Sequence, residues 1–178
     1  LSNQPLVKTQ MFGQYNFINL LCATCIGNYF GVNERDINSA LENYIPEMNR
    51  SQVKKSLTNT IILDAYNANP TSMNLAIENF NKQTFDNKVV VLGDMFELGE
   101  FAKEEHRKIL AQLQQTNIKK VFLVGVQFFE LKDEFLNYHF FNSIVDLKKH
   151  LSSCNISQST LLIKGSRGMQ LEKTVDLL

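Results

Sequence analysis

Tryptophan is absent from the 178 residues, and cysteine and proline occur only three times each. Three cysteines are too few to staple a small secreted fold, and free thiols suit a reducing compartment. Cys22 and Cys25 form a C-x-x-C spacing, which a redox pair or half of a zinc site would use. No second ligand pair stands at a suitable distance, so a structural zinc is not expected. The surrounding NLLCATCIGNYFGV reads as a buried helix, with both cysteines as small core residues. An excess of charge of one sign is also missing: 18 basic residues face 18 acidic ones. Sequence-independent nucleic-acid binding needs clustered Lys and Arg, so nucleic acid is set aside as a partner. Lys148-Lys149-His150, the longest basic cluster, reads as a solvated helix face.

No apolar run approaches the roughly 20 residues of a membrane helix, and no secretory signal opens the chain. The first residue is Leu, which points to a piece of a longer or processed chain, so absent targeting signals at this end say little. The G-x-x-x-x-G-K-[ST] phosphate loop is missing, as is H-E-x-x-H or any paired Cys/His set. Neither a triphosphate cradle nor a metal site is therefore expected on these residues. No Ser or Cys elbow accompanies His106, which reads as a structural helix residue.

What is present is ordinary globular composition, 44% hydrophobic and 20% charged. The length allows one full domain plus part of another. Residues 1 to 57 show one short extended segment, Leu6 to Phe12, and then mostly helix. Asn16 or Asn19 is a candidate cap for a helix running toward Gly31, and a second helix covers Glu34 to Tyr44. From residue 58 the pattern turns regular. Apolar strands at Ile61–Leu63, Val89–Leu92, Val121–Val124, Tyr138–Phe141 and Leu161–Ile163 alternate with amphipathic helices. Asn69 is placed to cap the first of these helices, with Pro70 at its first position. Met73, Ala76, Ile77 and Phe80 form its buried stripe. This alternation predicts an α/β fold: a Rossmann-like, doubly wound, mostly parallel sheet over residues 58–178, preceded by the helical end of another domain over 1–57.

In such a sheet ligands bind at the carboxyl ends of the strands. Those ends read Asp64-Ala65-Tyr66-Asn67-Ala68-Asn69-Pro70, Gly93-Asp94-Met95-Phe96-Glu97-Leu98-Gly99-Glu100 and Lys164-Gly165-Ser166-Arg167-Gly168. One rim thus gathers acids, amides and a Lys/Arg pair. The last turn, opening a final helix, can offer backbone N–H groups and two cations to a carboxylate or phosphate, or be a plain helix start with two solvated cations. Asp64 suits a ribose diol or a helix-start acid. Glu97, Glu100, Glu104 and Glu105 read mainly as acids complementing a helix dipole.

DAYNANPTSM, VVLGDMFELGE followed by His106, and LLIKGSRGMQLE resemble, in order and spacing, the C-terminal domain of the Mur ligases. The match is nearest to the branch that adds D-alanyl-D-alanine to a UDP-N-acetylmuramoyl-tripeptide. FGQYNFINLLCATCIGNYFGV is similar to the end of that family's central ATPase domain, so the resemblance covers essentially the whole chain. It implies ATP-dependent amide ligation through an acyl phosphate in bacterial peptidoglycan precursor synthesis, in the cytoplasm, by a monomer. ATP and Mg2+ would be held mainly by segments preceding residue 1, so this chain alone is expected to be inactive. By resemblance Asn16 and Asn19 line the adenine pocket, and Arg50 reaches the ribose and phosphates. Asp64 binds the ribose hydroxyls, with Tyr66 and Asn67 beside the nucleotide. Asn69, Lys164, Ser166 and Arg167 hold the dipeptide and its carboxylate. Asp94, Glu97 and His106 match family positions without an assigned role. Tyr15 stands where many relatives have His, and Asn49 where Gly is frequent. The family's domain closure would hinge within Arg50 to Asn59, which has no glycine. Three alternatives stand beside this reading: a sibling Mur or folylpolyglutamate ligase adding one amino acid, a non-catalytic binding module, and a receiver-type module. The last is disfavoured because Val124 leads into Gly125-Val126-Gln127 rather than an Asp.

Overall fold

The computed structural model describes residues 6–178. Helices α1 (Phe17–Tyr29) and α2 (Glu34–Asn43) come first, followed by strand β1 (Gln52–Lys55). The alternating region is β2 (Thr60–Asp64), α3 (Pro70–Lys82), β3 (Lys88–Gly93), α4 (Ala102–Gln114), β4 (Lys120–Val124), α5 (Val126–Phe129), β5 (His139–Phe141), α6 (Ile144–Ser153) and β6 (Thr160–Lys164). The helix signals act locally as expected. Asn69 and Ser72 form a reciprocal capping box at α3 with Pro70 behind it, and Met73, Ala76, Ile77 and Phe80 are buried.

The six strands lie in the order β1-β2-β6-β3-β4-β5, parallel except for β1, which runs antiparallel to β2. The chain steps from β2 outward through β3 and β4 to β5, with α3, α4 and α5 all feeding one core. That core holds Met73, Phe80, Ile109, Leu113 and Phe128 against Ile62, Val90, Leu92 and Leu162. It then returns over the opposite face through α6 and inserts β6 between β2 and β3, where Leu147 and Leu151 pack on Ile61, Val91, Phe122 and Ile163. Moving out on one face and back on the other is what a single crossover handedness requires. The strands are apolar on both faces because both are covered. The segments after β2 and β3 lead to one face and the segment after β6 to the other, so a crevice opens at the carboxyl end of β6.

The structure departs from the sequence expectations in several places. Leu6–Phe12 forms no strand; no neighbouring strand among the described residues pairs with it, and Phe12 instead packs beside Phe85. α1 buries none of its residues, and Cys22 and Cys25 are exposed rather than core. Apolar residues lie on all sides of this helix, and α2 comes close at Gly27, where an added Cβ would lie 3.0 Å from the Ile37 side chain. Asn16 occupies the N-cap position of α1 but its side chain caps nothing. The last helix is replaced by two 3₁₀ segments, Arg167–Met169 and Leu171–Leu177. Between them Gln170 takes a left-handed backbone, φ 54, which an α-helix cannot accommodate. β1 lies ahead of the boundary expected between 57 and 58, yet pairs with β2 from Gln52 to Lys55. Its alternating half-buried pattern with two lysines is typical of an edge strand and carries little apolar signal. The turn before it is left-handed at Met48, Asn49 and Ser51, φ 54, 59 and 49.

Candidate functional site

Asp64 and Lys164 stand opposite one another in the parallel ladder of β2 and β6, at its carboxyl end. Lys164 Nζ donates to Asp64 Oδ2 at 2.7 Å and to the Asn67 carbonyl at 3.2 Å. The lysine is 2% exposed. A buried ammonium needs such partners, because desolvation without them costs several kcal/mol, on the order of the pair's own attraction. Asp64 Oδ1 accepts the Ser51 backbone N–H at 3.2 Å. Ser51 Oγ in turn accepts from Asn16 Nδ2 at 3.0 Å and lies 3.1 Å from the Tyr15 hydroxyl. Asn19 Nδ2 donates to Asn16 Oδ1 at 3.2 Å. A continuous run therefore links α1 to β6: Asn19, Asn16, Ser51, Asp64, Lys164. Burial, with the Asp64 charge second, pushes the Tyr15 phenol up to about 12 despite its contact with Ser51.

Above this run lies a cleft of about 460 Å³ whose lining includes Asn16, Asn19, Leu20, Tyr44, Arg50 and Ser51. The Arg50 guanidinium lies over the Tyr66 ring, 3.7 Å from its centroid, and Arg167 approaches the same ring at 5.1 Å. Stacking on an aromatic face orients a guanidinium while leaving its N–H groups available for an anion. Neither arginine is ion-paired within the described residues. A second cleft of about 440 Å³, with Lys88, Lys119 and Lys120 in its lining, is at the amino ends of the strands, across the sheet from these groups.

The loop after β6 is held by the loop after β3. The Ser166 N–H donates to the Asp94 carbonyl at 3.1 Å, and Ser166 Oγ accepts the Phe96 N–H at 2.9 Å. Of the N–H groups in this turn, that of Ser166 is spent on Asp94 and that of Met169 on the Ser166 carbonyl, which closes the 3₁₀ segment. Ser166 is 4% exposed, a bracing residue more than a contact surface. Asn69 likewise spends its Oδ1 capping α3 at Ser72, and Asn67 Oδ1 accepts the next N–H, of Ala68. The structure therefore brings Asn16, Asn19, Arg50, Asp64, Tyr66, Asn67, Lys164 and Arg167 to one edge, with Asn69 and Ser166 beside them in supporting bonds. It joins Asp64 and Lys164, to which the resemblance had given separate ligands. Sequence reading passed over Ser51, the junction of the run. Its only distinguishing feature is a left-handed backbone, which no local pattern betrays.

Buried beneath the rim, the Asp94 carboxylate accepts N–H groups from Gln127 and Phe128 at 2.9 and 3.0 Å. Gly125 has φ +122, and a side chain there would collide with that carboxylate. His106 is fully buried; its Nε2 accepts the Met95 N–H at 3.0 Å while Nδ1 donates to the Ala102 carbonyl at 2.7 Å. Nε2 also lies 3.6 Å from Asp94 Oδ1. With Met95 donating to it, Nε2 carries no proton, so this is a close approach of two acceptors and not an ion pair. Burial pushes the His106 imidazole below and the Asp94 carboxyl above their ordinary values.

Such a molecule is a doubly wound α/β domain with its polar groups gathered at the topological switch point. Residues 49–167 match the family model described as Mur ligase, glutamate ligase domain; the chain belongs to the Mur ligase family. It is 32% identical over 177 residues to the UDP-N-acetylmuramoyl-tripeptide–D-alanyl-D-alanine ligase of Bacillus subtilis (strain 168), covering 93% of this chain and 38% of that protein. The Rickettsia prowazekii (strain Madrid E) ligase of the same name is 32% identical over 130 residues, 71% of this chain and 29% of that protein. A crystal structure of MurF from Acinetobacter baumannii superposes with a TM-score of 0.83 at 28% identity, over 96% of this chain and 39% of that one. The chain thus spans about two fifths, or less, of the length of these relatives.

Proposed function

We propose that this chain is the nucleotide- and dipeptide-facing part of an ATP-dependent ligase that adds D-alanyl-D-alanine to a UDP-N-acetylmuramoyl-tripeptide. The observation that carries the reading is the juxtaposition at one edge: the Asn19–Asn16–Ser51–Asp64–Lys164 run, with Arg50 and Arg167 both drawn to the Tyr66 ring. The relatives' names supply the substrates. ATP would provide the phosphoryl group that turns the tripeptide carboxylate into an acyl phosphate. The dipeptide amine then forms the amide bond as phosphate leaves.

Asn19, exposed in the cleft where Arg50 can reach a phosphate, offers amide hydrogen-bonding groups to an adenine edge, and Asn16, buried with its amide bonded to the Phe12 carbonyl and Ser51 Oγ, holds it in place. Arg167 is set to take a carboxylate, while Lys164 contributes by fixing Asp64. Mg2+ would accompany the nucleotide's phosphates and not a dedicated protein cage; among the described residues no group of three or more His, Cys, Asp or Glu side chains is placed to hold a metal. The chemistry is chiefly positioning and charge stabilisation. We place the domain boundary and hinge at Met48–Ser51, ahead of β1, where three left-handed residues turn the chain. We further infer a monomer in the bacterial cytoplasm; no helix of the described residues is long and apolar enough to cross a membrane.

The test is phosphate release from ATP by the full-length parent protein with the muramoyl tripeptide, offering D-alanyl-D-alanine, D-glutamate or a diamino acid separately. Turnover with the dipeptide alone is expected. Turnover with a single amino acid would move the protein to a sibling branch.

A further inference from the structure

We propose that Asp94 and His106 are positioning residues that set where Arg167 stands, acting through the backbone of residues 94–96; the functional consequence rests on the ligase reading above. Arg167 sits on a loop with no α-helix to anchor it. The bonds from Ser166 to Asp94 and Phe96 tie that loop to the β3 loop, and glycines let the two touch. A Cβ on Gly165 would lie 3.0 Å from Gly93 Cα, and one on Gly168 would lie 2.6 Å from the Phe96 ring. Arg167 can therefore be no better placed than residues 94–96 are.

Those three residues aim consecutive N–H groups at three different elements. Asp94 N–H donates to the Val124 carbonyl of β4 at 3.0 Å, Met95 N–H to His106 Nε2 on α4 at 3.0 Å, and Phe96 N–H to Ser166 Oγ at 2.9 Å. The Asp94 carboxylate adds a fourth anchor at the first turn of α5. His106 is locked in turn by its Nδ1 bond to Ala102 and by edge-on packing against Phe128, ring centroids 4.6 Å apart. The acceptors of these backbone N–H groups belong to buried residues, which shields the bonds from competing water and resists rearrangement. Glu97 follows with φ 64, so the backbone turns away just after the clamped stretch. The tautomer of His106 is part of the device: with the proton on Nδ1, Nε2 is the acceptor Met95 requires, and moving that proton would set two donors against each other.

The experiment uses this chain labelled with ¹⁵N and read by NMR. The wild-type imidazole should show an unprotonated Nε2 and a protonated Nδ1; the opposite tautomer overturns the proposal without any variant. His106→Leu should shift the amide signals of Phe96, Ser166, Arg167 and Gly168 while those of β1 stay in place. His106→Gln, whose side-chain oxygen can replace Nε2, should leave the loop signals near their wild-type positions. Loop signals unmoved in a folded His106→Leu chain, or moved equally by both substitutions, would sink the idea. If His106→Leu does not fold, Ser166→Ala tests the same link from the other side and should shift Phe96 and Arg167 alone. In the full-length parent, His106→Leu should raise KM for the dipeptide about tenfold with kcat little changed, and His106→Gln should restore it. The NMR readout contains no substrate. A loop that responds as expected in a protein that does not ligate the dipeptide would discard the ligase reading and keep the clamp.

Discussion

Lys164 Nζ lies 2.7 Å from Asp64 Oδ2, and the two residues are register partners on adjacent parallel strands although 100 positions apart in the chain. The side chains are 3% and 14% exposed, so solvent screens the pair little. Removing one member leaves the other's charge buried. Lys164→Ala is expected to lower stability by about 3–5 kcal/mol. The double substitution Asp64→Leu with Lys164→Met should recover most of that loss. Urea unfolding at neutral pH checks both, and a single-variant loss under about 1 kcal/mol would mean the pair behaves as a surface one.

Asn69 separates a structural role from a ligand role. Its Oδ1 caps α3 within a reciprocal box with Ser72. Asn69→Ala should cost about 1 kcal/mol of stability, and Asn69→Asp, which keeps the acceptor, much less. If the dipeptide KM of the full-length parent stays unchanged in Asn69→Asp, capping is the residue's role. A large rise would restore it to the dipeptide site.

Acid should loosen the protein through His106. Burial holds its imidazole below the ordinary value of 6.5, so the unfolded chain takes up a proton first as pH falls. Stability that is full above that value is then lost below it, down to the depressed folded value. His139, also lowered by burial with His150 and Lys120 nearby, adds in the same direction. Asp94 has the opposite sign. Its raised carboxyl protonates in the folded state first, a gain on acidification confined to pH above the ordinary 3.8 and below the raised value. Unfolding free energies at pH 7.5 and 5.5 are therefore expected to differ more in wild type than in His106→Gln.

Alkali should act through Tyr15. Its phenol titrates at about 12 in the folded chain against 10.0 ordinarily, so the unfolded chain ionises first. The contribution is full below pH 10 and lost as pH rises toward 12. Tyr15→Phe should remove that loss, and also the contact with Ser51. Thermal melts between pH 9 and 11 read it; an unchanged alkaline slope in the variant would assign the sensitivity to other groups.

What is local was legible along the chain. Strand and helix alternation, the Asn69–Pro70 start of α3, the buried stripe of that helix and the glycine- and polar-rich strand ends are all written within a few neighbouring residues. Side-chain period and capping chemistry are properties of consecutive positions. Which strand ends meet was settled by the three-dimensional fold. β6, the last strand made, enters between β2 and β3, which places Lys164 on Asp64 and Arg167 beside Tyr66. It also showed that Ser51 joins Asn16 to Asp64, that β1 edges the sheet, that the last turns are 3₁₀, and that α1 leaves Cys22 and Cys25 exposed. Pairing between residues far apart in sequence depends on sheet order and on which face each crossover covers. A backbone turn such as that at Ser51 is set by the partners it must reach. Neither is recorded in the run of side chains around the residue itself.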